Sequence, residues 1–368
     1  MTKFSQWYKE IVLPAGLLSS VIIGAGIFAL PYVFHQAGFL VGLFYLIIFT
    51  GVFTVVHRMY AHVIKSTEGK HRFVGYAKIY FKRQGFIATI ITTAIGFTLT
   101  LVAYIALAGD FVRLVAPGVG DFAPYAFWIV ASLTFVVSLK RFANFEFAMT
   151  VAMALIVLIL LFSGVVHGQE LTLTPFNPSA LFVPYGVVLF AISGRAAISA
   201  IYEYYEKRNI PKNKLMSSIS LGTIFPSFVY VAFIVAIFLL SRGPVSEDAL
   251  TGLTDAPRYL LSLIGGLGIF ALWTSYFFLA TEIRDIFRYD LKLSRTLSTL
   301  IVVTAPLWLY GLGLTNFMHL MAVVGGVFLA LDSIFAISMY SKIKGWGPLA
   351  RILVVLFAIG AVYEIINI

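Results

Sequence analysis

Residues 21–38 read VIIGAGIFALPYVFHQAG, an apolar segment near the start of the chain that Gly24, Gly26 and Pro31 interrupt. Glycine and proline both weaken a helix interior, because glycine loses more backbone freedom on folding and proline has no N–H group to donate. In hydrocarbon the cost is larger, since each backbone group left unpaired there costs several kcal/mol. The effect of the interruption therefore depends on the solvent around this segment.

The composition indicates a membrane protein. Of the 368 residues, 60% are hydrophobic and 11% are charged, and the mean hydropathy is +0.96. Many segments run for about 20 apolar residues, the length that crosses a hydrocarbon core about 30 Å thick. The first is longer than the core of a usual signal peptide, so we expect it to remain in the mature protein. We interpret the chain as polytopic and embedded in the lipid bilayer.

The absence of cysteine excludes disulfides, thiolate metal sites and thiol nucleophiles. The six histidines are scattered without the spacing of metal ligands. We therefore expect no cofactor.

A membrane-length window predicts an all-α protein of about eleven transmembrane helices in one membrane domain over residues 1–368. The predicted spans cover residues 11–34, 39–64, 86–115, 124–139, 145–166, 181–205, 215–240, 257–287, 297–311, 317–340 and 349–366. The longest polar segments are residues 65–85 and 241–256, and neither is long enough to add a soluble domain.

Lysine and arginine crowd into alternate loops, and such loops face the cytoplasm. These loops contain Lys3, Lys9, Lys65, Lys70, Arg72, Lys78, Lys82, Arg83, Lys140, Arg141, Lys207, Arg208, Lys212, Lys214, Arg284, Arg288, Lys292, Arg295, Lys342, Lys344 and Arg351. The pattern predicts a cytoplasmic N-terminus and a position in the cytoplasmic (inner) membrane. The net charge of +10 then reflects loops that face anionic lipid, so no nucleic-acid partner is needed to explain it.

A second interruption occurs in the sixth predicted span, where residues 189–199 read LFAISGRAAIS and Ser193, Gly194 and Arg195 fall in the middle of a helix. The first and sixth spans are equivalent if the chain contains two five-helix repeats. An odd number of spans in each repeat makes the two halves inverted. Interrupted helices at matching positions of two halves are a sequence signal for a transporter's binding site. Small residues also serve as packing surfaces between membrane helices, which is the alternative for either break alone.

Several stretches resemble the amino acid/polyamine/organocation superfamily of transporters. IIGAGIFALPYVFHQAG (residues 22–38) resembles the first helix of that superfamily's amino acid/auxin permease branch, which includes bacterial aromatic amino acid permeases. VAYIALAGD (102–110), PYGVVLFAISGRAAISAIYEYYEK (184–207) and LWTSYFFLATEIRDIF (272–287) are similar to the third, sixth and eighth helices of the branch. The sequence departs from the pattern at Arg195, where relatives often have histidine.

The resemblance implies a fold with two inverted five-helix repeats, about 11–166 and 181–340, and an extra helix, about 349–366. It also implies ion-coupled symport of an amino acid, with a neutral or aromatic one favoured here. The N–H groups of the first helix after Gly26 suit a carboxylate, and carbonyls freed at both breaks suit an ammonium group. The candidate substrate-binding residues are Gly24, Ala25, Gly26, Ile27, Phe28, Tyr104, Phe190, Ile192, Ser193, Gly194 and Arg195.

The coupling ion is expected to be Na⁺, with H⁺ as the alternative. The resemblance points to a sodium site made of hydroxyls in the eighth helix and backbone carbonyls. The candidate ligands are Ser20, Ile23, Ala271, Thr274 and Ser275. The alternative for the two hydroxyls of Thr274 and Ser275 is a hydrogen bond back to their own helix. Asp332 and Glu203 remain as candidate proton carriers, because an intramembrane carboxylate usually faces a cavity.

Arg195 is expected to be paired or solvated, because an arginine in the middle of a membrane helix costs about 2.5 to 3.5 kcal/mol. Two interpretations remain open at this stage. In the first, Arg195 has a role in transport: it binds the substrate carboxylate or permanently occupies the place of a cation. In the second, it pairs with an acid such as Asp332 and holds two helices together.

Other functions fit the sequence less well. A germinant receptor subunit of the same superfamily binds an amino acid without pumping it, but usually has ten spans. An intramembrane aspartyl protease needs two adjacent carboxylates, whereas Asp110 and Asp290 are predicted on opposite sides of the membrane. A channel does not need two broken helices at one depth. We therefore predict a transporter and no enzyme.

Overall fold

The structure is a computed structural model that describes residues 3–69, 71–137, 143–253 and 257–367. Over these residues the chain forms helices and connecting loops, with no β-strand. Lys70, Lys140 and Arg141, three of the basic residues used to predict the orientation, lie outside these ranges. The all-α class predicted from hydropathy is confirmed.

The described helices follow the predicted spans in order. They are α1 (Lys3–Trp7), α2 (Leu13–Ile22), α3 (Gly26–Ala37), α4 (Phe39–Ser66), α5 (Phe73–Val115), α6 (Ala123–Val137), α7 (Ala143–His167), α8 (Pro184–Ile192), α9 (Arg195–Lys207), α10 (Leu215–Leu240), α11 (Arg258–Asp285), α12 (Arg295–Gly311), α13 (Phe317–Val323), α14 (Ala330–Lys344) and α15 (Pro348–Asn367). Short π-helical segments continue three of them, at Tyr8–Val12, Ile286–Asp290 and Val324–Leu329.

Both predicted breaks are present. The first span bends by 60° between α2 and α3, because Ile23 leaves the helical conformation with φ −75° and ψ 69°. The first part of the sixth span, α8, ends at Ile192, and Ser193 is extended before α9 begins at Arg195. The broken first and sixth helices inferred from Gly24 and Gly194 are therefore confirmed.

The prediction of a polar loop over residues 65–85 was wrong in its second half. Helix α5, which forms the third predicted span, begins at Phe73, well before the predicted start at residue 86. Its first turns bury Phe73, Val74 and Tyr76 and expose basic side chains on the other face, so the charges concealed an amphipathic helix. Lys82, with φ 56°, marks the bend between this arm and the apolar part of the helix.

Eight described helices are long and apolar enough to cross a membrane, and the bent pair α2 and α3 makes a ninth candidate. Helices α6 and α12 occupy the fourth and ninth predicted spans; α12 contains 17 residues, and α6 is described over 15 residues, up to the end of a described range. A helix of about 20 residues is the usual length for crossing. The total of eleven spans, and the repeat boundaries that depend on it, stay predictions.

Large apolar side chains form exposed stripes along the outer helices. On α5, Ile87, Ile91 and Ile95 are each between 44% and 49% exposed. A spacing of four residues puts them on one face. Exposed apolar faces of this extent belong in lipid and not in water. The chain is an integral membrane protein.

The broken helices lie at the centre of the molecule. Every residue of α8 is buried, and α3 packs against it. Helix α10 contacts α2 and α3, while α4 contacts α8 and α9. Helices α5 and α11 pack against each other beside them. This arrangement surrounds both breaks with protein, which is the condition for unpaired backbone at membrane depth.

A cavity between the two broken helices

The two breaks approach each other closely. A Cβ atom on Gly26 would lie 2.5 Å from the Cα of Ala191, so only glycine lets the start of α3 pass this near to α8. A Cβ atom on Gly194 would lie 2.7 Å from the Cγ1 of Ile22, the last residue of α2. The first break therefore contacts α8, and the second break contacts α2.

A cavity opens where the breaks meet. Its empty volume is about 560 Å³, with open space at its mouth included. Its wall is formed by the two breaks and by parts of α5, α11 and the π-helical segment before α14. The lining residues are Val21, Ile22, Gly24, Ala25, Gly26, Phe97, Thr100, Tyr104, Phe190, Ser193, Gly194, Arg195, Ala196, Ser275, Phe278, Leu279 and Leu329.

Most of the predicted substrate-binding residues line this cavity. Those that do are Gly24, Ala25, Gly26, Tyr104, Phe190, Ser193, Gly194 and Arg195. Ile27, Phe28 and Ile192 lie outside its wall and are each no more than 1% exposed. Phe28 points into an aromatic cluster, with its ring 4.7 Å from that of Phe111 and 5.7 Å from that of Phe233. Phe28 therefore packs in the core behind the break.

Aromatic side chains from both halves of the chain meet in the cavity wall. The rings of Tyr104 on α5 and Phe190 on α8 are 6.5 Å apart and nearly perpendicular. This edge-to-face arrangement is a favourable one for aromatic pairs. Phe97 and Phe278 line the same cavity. The space between them offers an apolar contact surface.

The backbone at the breaks provides polar groups of both kinds. The N–H of Gly24 donates to the carbonyl of Ile22 at 2.8 Å, and the N–H of Ser193 donates to that of Leu189 at 3.1 Å. The first N–H groups of α3 and α9 lack partners in their own helices, as at any helix start. These two N-termini carry the positive ends of their helix dipoles. The site thus combines donors that suit an anion with carbonyls that suit a cation.

Arg195 is paired, as one of its two interpretations requires. Its Nη2 lies 2.5 Å from Oδ2 of Asp332 on α14. The hydroxyls of Thr92 and Thr93 on α5 also donate to this carboxylate, at 2.8 and 3.1 Å. Arg195 is 6% exposed and Asp332 is 2% exposed. The charge of the arginine is therefore balanced next to the cavity by a carboxylate with three donors.

The rest of the Arg195 guanidinium contacts aromatic rings. Its Cζ lies 3.8 Å from the ring centre of Phe73 and 5.3 Å from that of Phe97. Stacking of this kind stabilises a desolvated guanidinium. Its Nε is buried and has no hydrogen-bond partner among the described residues. Arg195 therefore retains a buried N–H donor that no described group satisfies.

His57 on α4 holds the second break from behind. The N–H of Gly194 donates to Nε2 of His57 at 3.2 Å, so this nitrogen carries no hydrogen. The other ring nitrogen, Nδ1, is then the protonated one and donates to the Thr223 hydroxyl at 3.0 Å. His57 is neutral in this arrangement and is 1% exposed.

The predicted sodium ligands lie close to the first break. A Cβ on Gly24 would lie 3.1 Å from the hydroxyl oxygen of Ser275, so α11 touches the break here. Ser275 lines the cavity, while Ser20, Ile23, Ala271 and Thr274 lie outside its wall.

Two of the candidate ligands bond back to their own helices, and for Thr274 this is what the alternative interpretation predicts. Thr274 donates to the carbonyl of Ala271 at 3.0 Å, and Ser20 donates to that of Leu17 at 3.0 Å. A hydroxyl that donates its hydrogen keeps its lone pairs available for a cation. These bonds are therefore compatible with a cation site.

An ion-pair cluster lies between the cavity and the predicted cytoplasmic face. Arg72 is 3.2 Å from Asp285, 3.6 Å from Glu203 and 3.9 Å from Glu282. Burial opposes its charge, but the three carboxylates outweigh burial and raise the pKa of Arg72 above its usual value. Arg72 thus connects the C-terminal end of α9 to the C-terminal end of α11.

The profile of the tryptophan/tyrosine permease family matches residues 8–344, which include both breaks and the whole cavity wall. The chain belongs to the tryptophan/tyrosine permease family. A search of curated protein sequences finds no match. The family supports the predicted membership in the superfamily of amino acid permeases, and the protein is a transporter.

Solved transporters share the fold. MhsT in complex with L-phenylalanine matches with a TM-score of 0.70 and 13% identity over 96% of this chain and 97% of that one. A manganese transporter of Eremococcus coleocola matches with a TM-score of 0.67 and 14% identity over 99% and 88% of the two chains. Mhp1, a nucleobase-cation-symport-1 family transporter in a closed conformation with bromovinylhydantoin bound, matches at 0.62 and 13%, over 90% and 78%. At this identity the likeness supports the fold alone.

Sequence reasoning missed several residues around the cavity. His57 offered a usable signal, because an ionisable residue inside a membrane span is rare and usually functional. Tyr230 on α10, which contacts both breaks, offered none among 19 tyrosines. The unpredicted lining residues are Val21, Ile22, Phe97, Thr100, Ala196, Phe278, Leu279 and Leu329.

Proposed function

We propose that this protein is an ion-coupled symporter of a neutral amino acid with a large apolar or aromatic side chain. The observation that carries the proposal is the close approach of two helix breaks, at Gly26 and Gly194, around one cavity. A zwitterion presents an anion and a cation a few ångströms apart. The paired breaks bring helix N-termini and the carbonyl ends of α2 and α8 to one cavity.

The start of α3 is proposed to receive the carboxylate, because its first N–H groups and the positive end of its dipole face the break. The carbonyls around Ser20–Ile23 and Phe190–Ser193 are proposed to receive the ammonium. The side chain then lies against Tyr104 and Phe190, whose rings form part of the cavity wall.

A neutral substrate side chain fits the charge balance of the site. Arg195 is the charged residue in the cavity wall, and Asp332 neutralises it at 2.5 Å. A charged substrate side chain would lose its hydration without an opposite charge to pair with. The family description and the L-phenylalanine bound to MhsT agree with an aromatic substrate.

Sodium is the proposed coupling ion. Its ligands would be the carbonyls of Ser20, Ile23 and Ala271 and the hydroxyls of Thr274 and Ser275. Hard oxygen ligands that are mostly neutral suit a monovalent cation that has to be released again. Coupling to H⁺ through Asp332 or Glu203 is the alternative, and separate ion gradients distinguish the two.

Alternating access is proposed to occur between two inverted repeats, about 11–166 and 181–340, with 349–366 as an appended helix. The basic loops support a cytoplasmic N-terminus in the cytoplasmic membrane.

The decisive experiment is uptake by the purified chain in proteoliposomes. The panel contains labelled tryptophan, tyrosine, phenylalanine, leucine, alanine and glutamate, each tested under a sodium gradient, a proton gradient and neither. We expect concentrative uptake of aromatic amino acids with a sodium gradient and none of glutamate. Counterflow without an ion gradient identifies an exchanger, and binding without uptake identifies an amino acid sensor. Failure of every amino acid to bind would contradict the proposal.

A further inference from the structure

One face of α4 is exposed through most of the helix. Leu40, Phe44 and Ile47 are 71%, 63% and 61% exposed, and a spacing of four and three residues places them on the same side of the helix. Gly51 and Arg58 continue this spacing in steps of four and seven residues, and both are exposed. Apolar side chains exposed in this way contact lipid in a membrane protein. Arg58 therefore lies on the lipid-facing side of α4.

Arg58 has no counter-charge among the residues that the structure describes, and it makes no ion pair or hydrogen bond with any of them. It lies eight residues before Ser66 at the end of α4, which is a distance of about 12 Å along the helix. The carbonyls at a helix C-terminus attract cations only within the last turn, which explains Lys65 but not Arg58. An arginine in this position extends toward the membrane interface and needs an anion there.

Further basic side chains surround the end of the same face. His62 and Lys65 follow Arg58 after four and seven residues. The charges of Lys65 and of Lys344, the last residue of α14, both act on the His62 ring. This ring also lies 5.4 Å from the ring of Tyr340 on α14. Basic groups from two helices therefore meet at one edge of the molecule.

We propose that these groups bind the phosphate of an anionic phospholipid whose acyl chains lie along the exposed face of α4. The α4–α14 basic cluster consists of Arg58, His62, Lys65 and Lys344. The planar guanidinium of Arg58 matches two phosphate oxygens at once. Basic groups between membrane helices at the cytoplasmic side are suited to anionic headgroups, and in the predicted orientation this end of α4 is cytoplasmic. The lipid site is separate from the cavity and does not depend on the proposed amino acid substrate.

Charge favours a lipid over a second copy of this chain as the occupant. In a contact with twofold symmetry the same surface meets itself. The exposed face of α4 and the α4–α14 basic cluster contain no acidic residue, so such a contact would bring cations toward cations. An anionic phospholipid supplies both the missing negative charge and the apolar surface.

The test measures thermal unfolding of the delipidated chain in neutral detergent while one compound is added. Phosphatidylglycerol is anionic, phosphatidylcholine with the same acyl chains has no net charge, and glycerophosphoglycerol is the anionic headgroup without acyl chains. We expect saturable stabilisation of the wild type by phosphatidylglycerol and little by the other two. In Arg58→Gln with Lys344→Gln, the apparent Kd for phosphatidylglycerol should rise at least tenfold.

The matched control is Lys207→Gln with Lys292→Gln, which removes two charges from the same predicted side of the membrane. The Lys207 side chain is 72% exposed and pairs with Glu203 within α9, and Lys292 is exposed after α11. This control should bind phosphatidylglycerol as the wild type does. Equal weakening in both double variants would show a general attraction by all basic loops and overturn the proposal. Equal stabilisation by phosphatidylcholine or glycerophosphoglycerol, or none by any lipid, would overturn it as well.

A photoreactive phosphatidylglycerol provides a measurement on the wild type that does not depend on any variant folding. After illumination of the chain in vesicles that contain this lipid, we expect adducts on residues 51–66 of α4, and an excess of ordinary phosphatidylglycerol should suppress them. Absence of adducts from this face, whether the lipid binds elsewhere or a second copy of the chain covers the face, contradicts the proposal.

Discussion

Nη2 of Arg195 lies 2.5 Å from Oδ2 of Asp332, and 137 residues of chain separate the two. Arg195 is the first residue of α9, directly after the second break, and Asp332 lies on α14. The pair therefore connects α9, the second part of the broken sixth span, to α14. Because Arg195 also lines the cavity, this contact joins the candidate site to the surrounding scaffold.

Breaking this pair from one side should be costly. In Asp332→Asn, the Arg195 guanidinium stays buried without its counter-charge, and we expect the free energy of unfolding to fall by about 3 to 5 kcal/mol. Uptake should fall with it. Thermal unfolding in detergent checks the stability, and Asp110→Asn is the control. The Asp110–Arg113 pair has side chains 37% and 39% exposed, so we expect a change below about 1 kcal/mol there.

Removing the whole pair separates its structural role from its role in transport. Replacing a buried ion pair by apolar side chains of similar volume is often neutral for stability. The double variant Arg195→Met with Asp332→Leu should therefore regain most of the stability lost in Asp332→Asn. We expect its uptake to remain low, because the guanidinium in the cavity wall is lost as well. Normal uptake by this double variant, or by Arg195→Ala and Arg195→Lys, would mean that Arg195 has no role with the substrate.

The close contact between the two breaks at Gly26 predicts that a larger residue there abolishes transport. In Gly26→Ala the new Cβ would lie 2.5 Å from the Cα of Ala191, and a backbone atom cannot yield as a flexible side chain does. We expect α3 and α8 to separate and uptake to fall to background, with membrane expression retained. The matched control is Gly51→Ala on α4, where a Cβ meets no atom within 4 Å. That variant should transport normally and gain up to about 1 kcal/mol in stability. Full uptake in Gly26→Ala would contradict the proposed geometry.

Local features of the chain were predictable from the sequence. The motifs GAG at residues 24–26 and SGR at 193–195 interrupt the helix at their own positions. A glycine inside a long apolar segment can be recognised without knowing which other segments pack against it. Both breaks were therefore found where predicted. The amphipathic start of α5 at Phe73 was missed because its basic face resembled a polar loop.

Contacts between distant segments were less accessible. Nothing in the sequence around Gly194 indicates that its N–H bonds to His57, 137 residues earlier. Asp332 was a plausible partner for Arg195, but only the fold brings the first residue of α9 within reach of a carboxylate on α14. Phe28 was wrongly predicted to line the site, and here the cause is local. Each residue turns a helix by about 100°, so a position two residues after Gly26 points away from the break and into the aromatic core.

The candidate sodium site predicts loss of sodium dependence without loss of fold. The double variant Thr274→Ala with Ser275→Ala removes the two candidate hydroxyl ligands on α11. We expect sodium-stimulated uptake to fall at least tenfold, while the free energy of unfolding falls by about 1 to 2 kcal/mol. The control is Thr281→Ala, whose hydroxyl donates to the Phe277 carbonyl on the same helix at 2.8 Å. Undiminished sodium stimulation would remove the assignment, and uptake driven only by a proton gradient would favour Asp332 or Glu203.

The ion pairs of Arg72 predict that the cavity opens toward the cytoplasmic side when these pairs are removed. Arg72 connects α9 to α11 through Glu203, Glu282 and Asp285, so Arg72→Gln removes the attraction and leaves three carboxylates that repel one another. We expect the cytoplasmic side to open more often. Because the chain has no cysteine, a single cysteine at the cavity residue Ala196 reports this opening by its rate of labelling.

Labelling uses a membrane-impermeant thiol reagent applied to the cytoplasmic face of oriented vesicles that carry Ala196→Cys. Adding Arg72→Gln should raise the labelling rate several-fold, and saturating amino acid should lower it again because the substrate covers the cavity. Lys207→Gln is the charge-matched control. The Lys207 side chain is 72% exposed, and its pair with Glu203 lies within one helix, so its loss leaves the link between α9 and α11 intact. Equal labelling with and without Arg72 would show that this cluster does not close the cytoplasmic side.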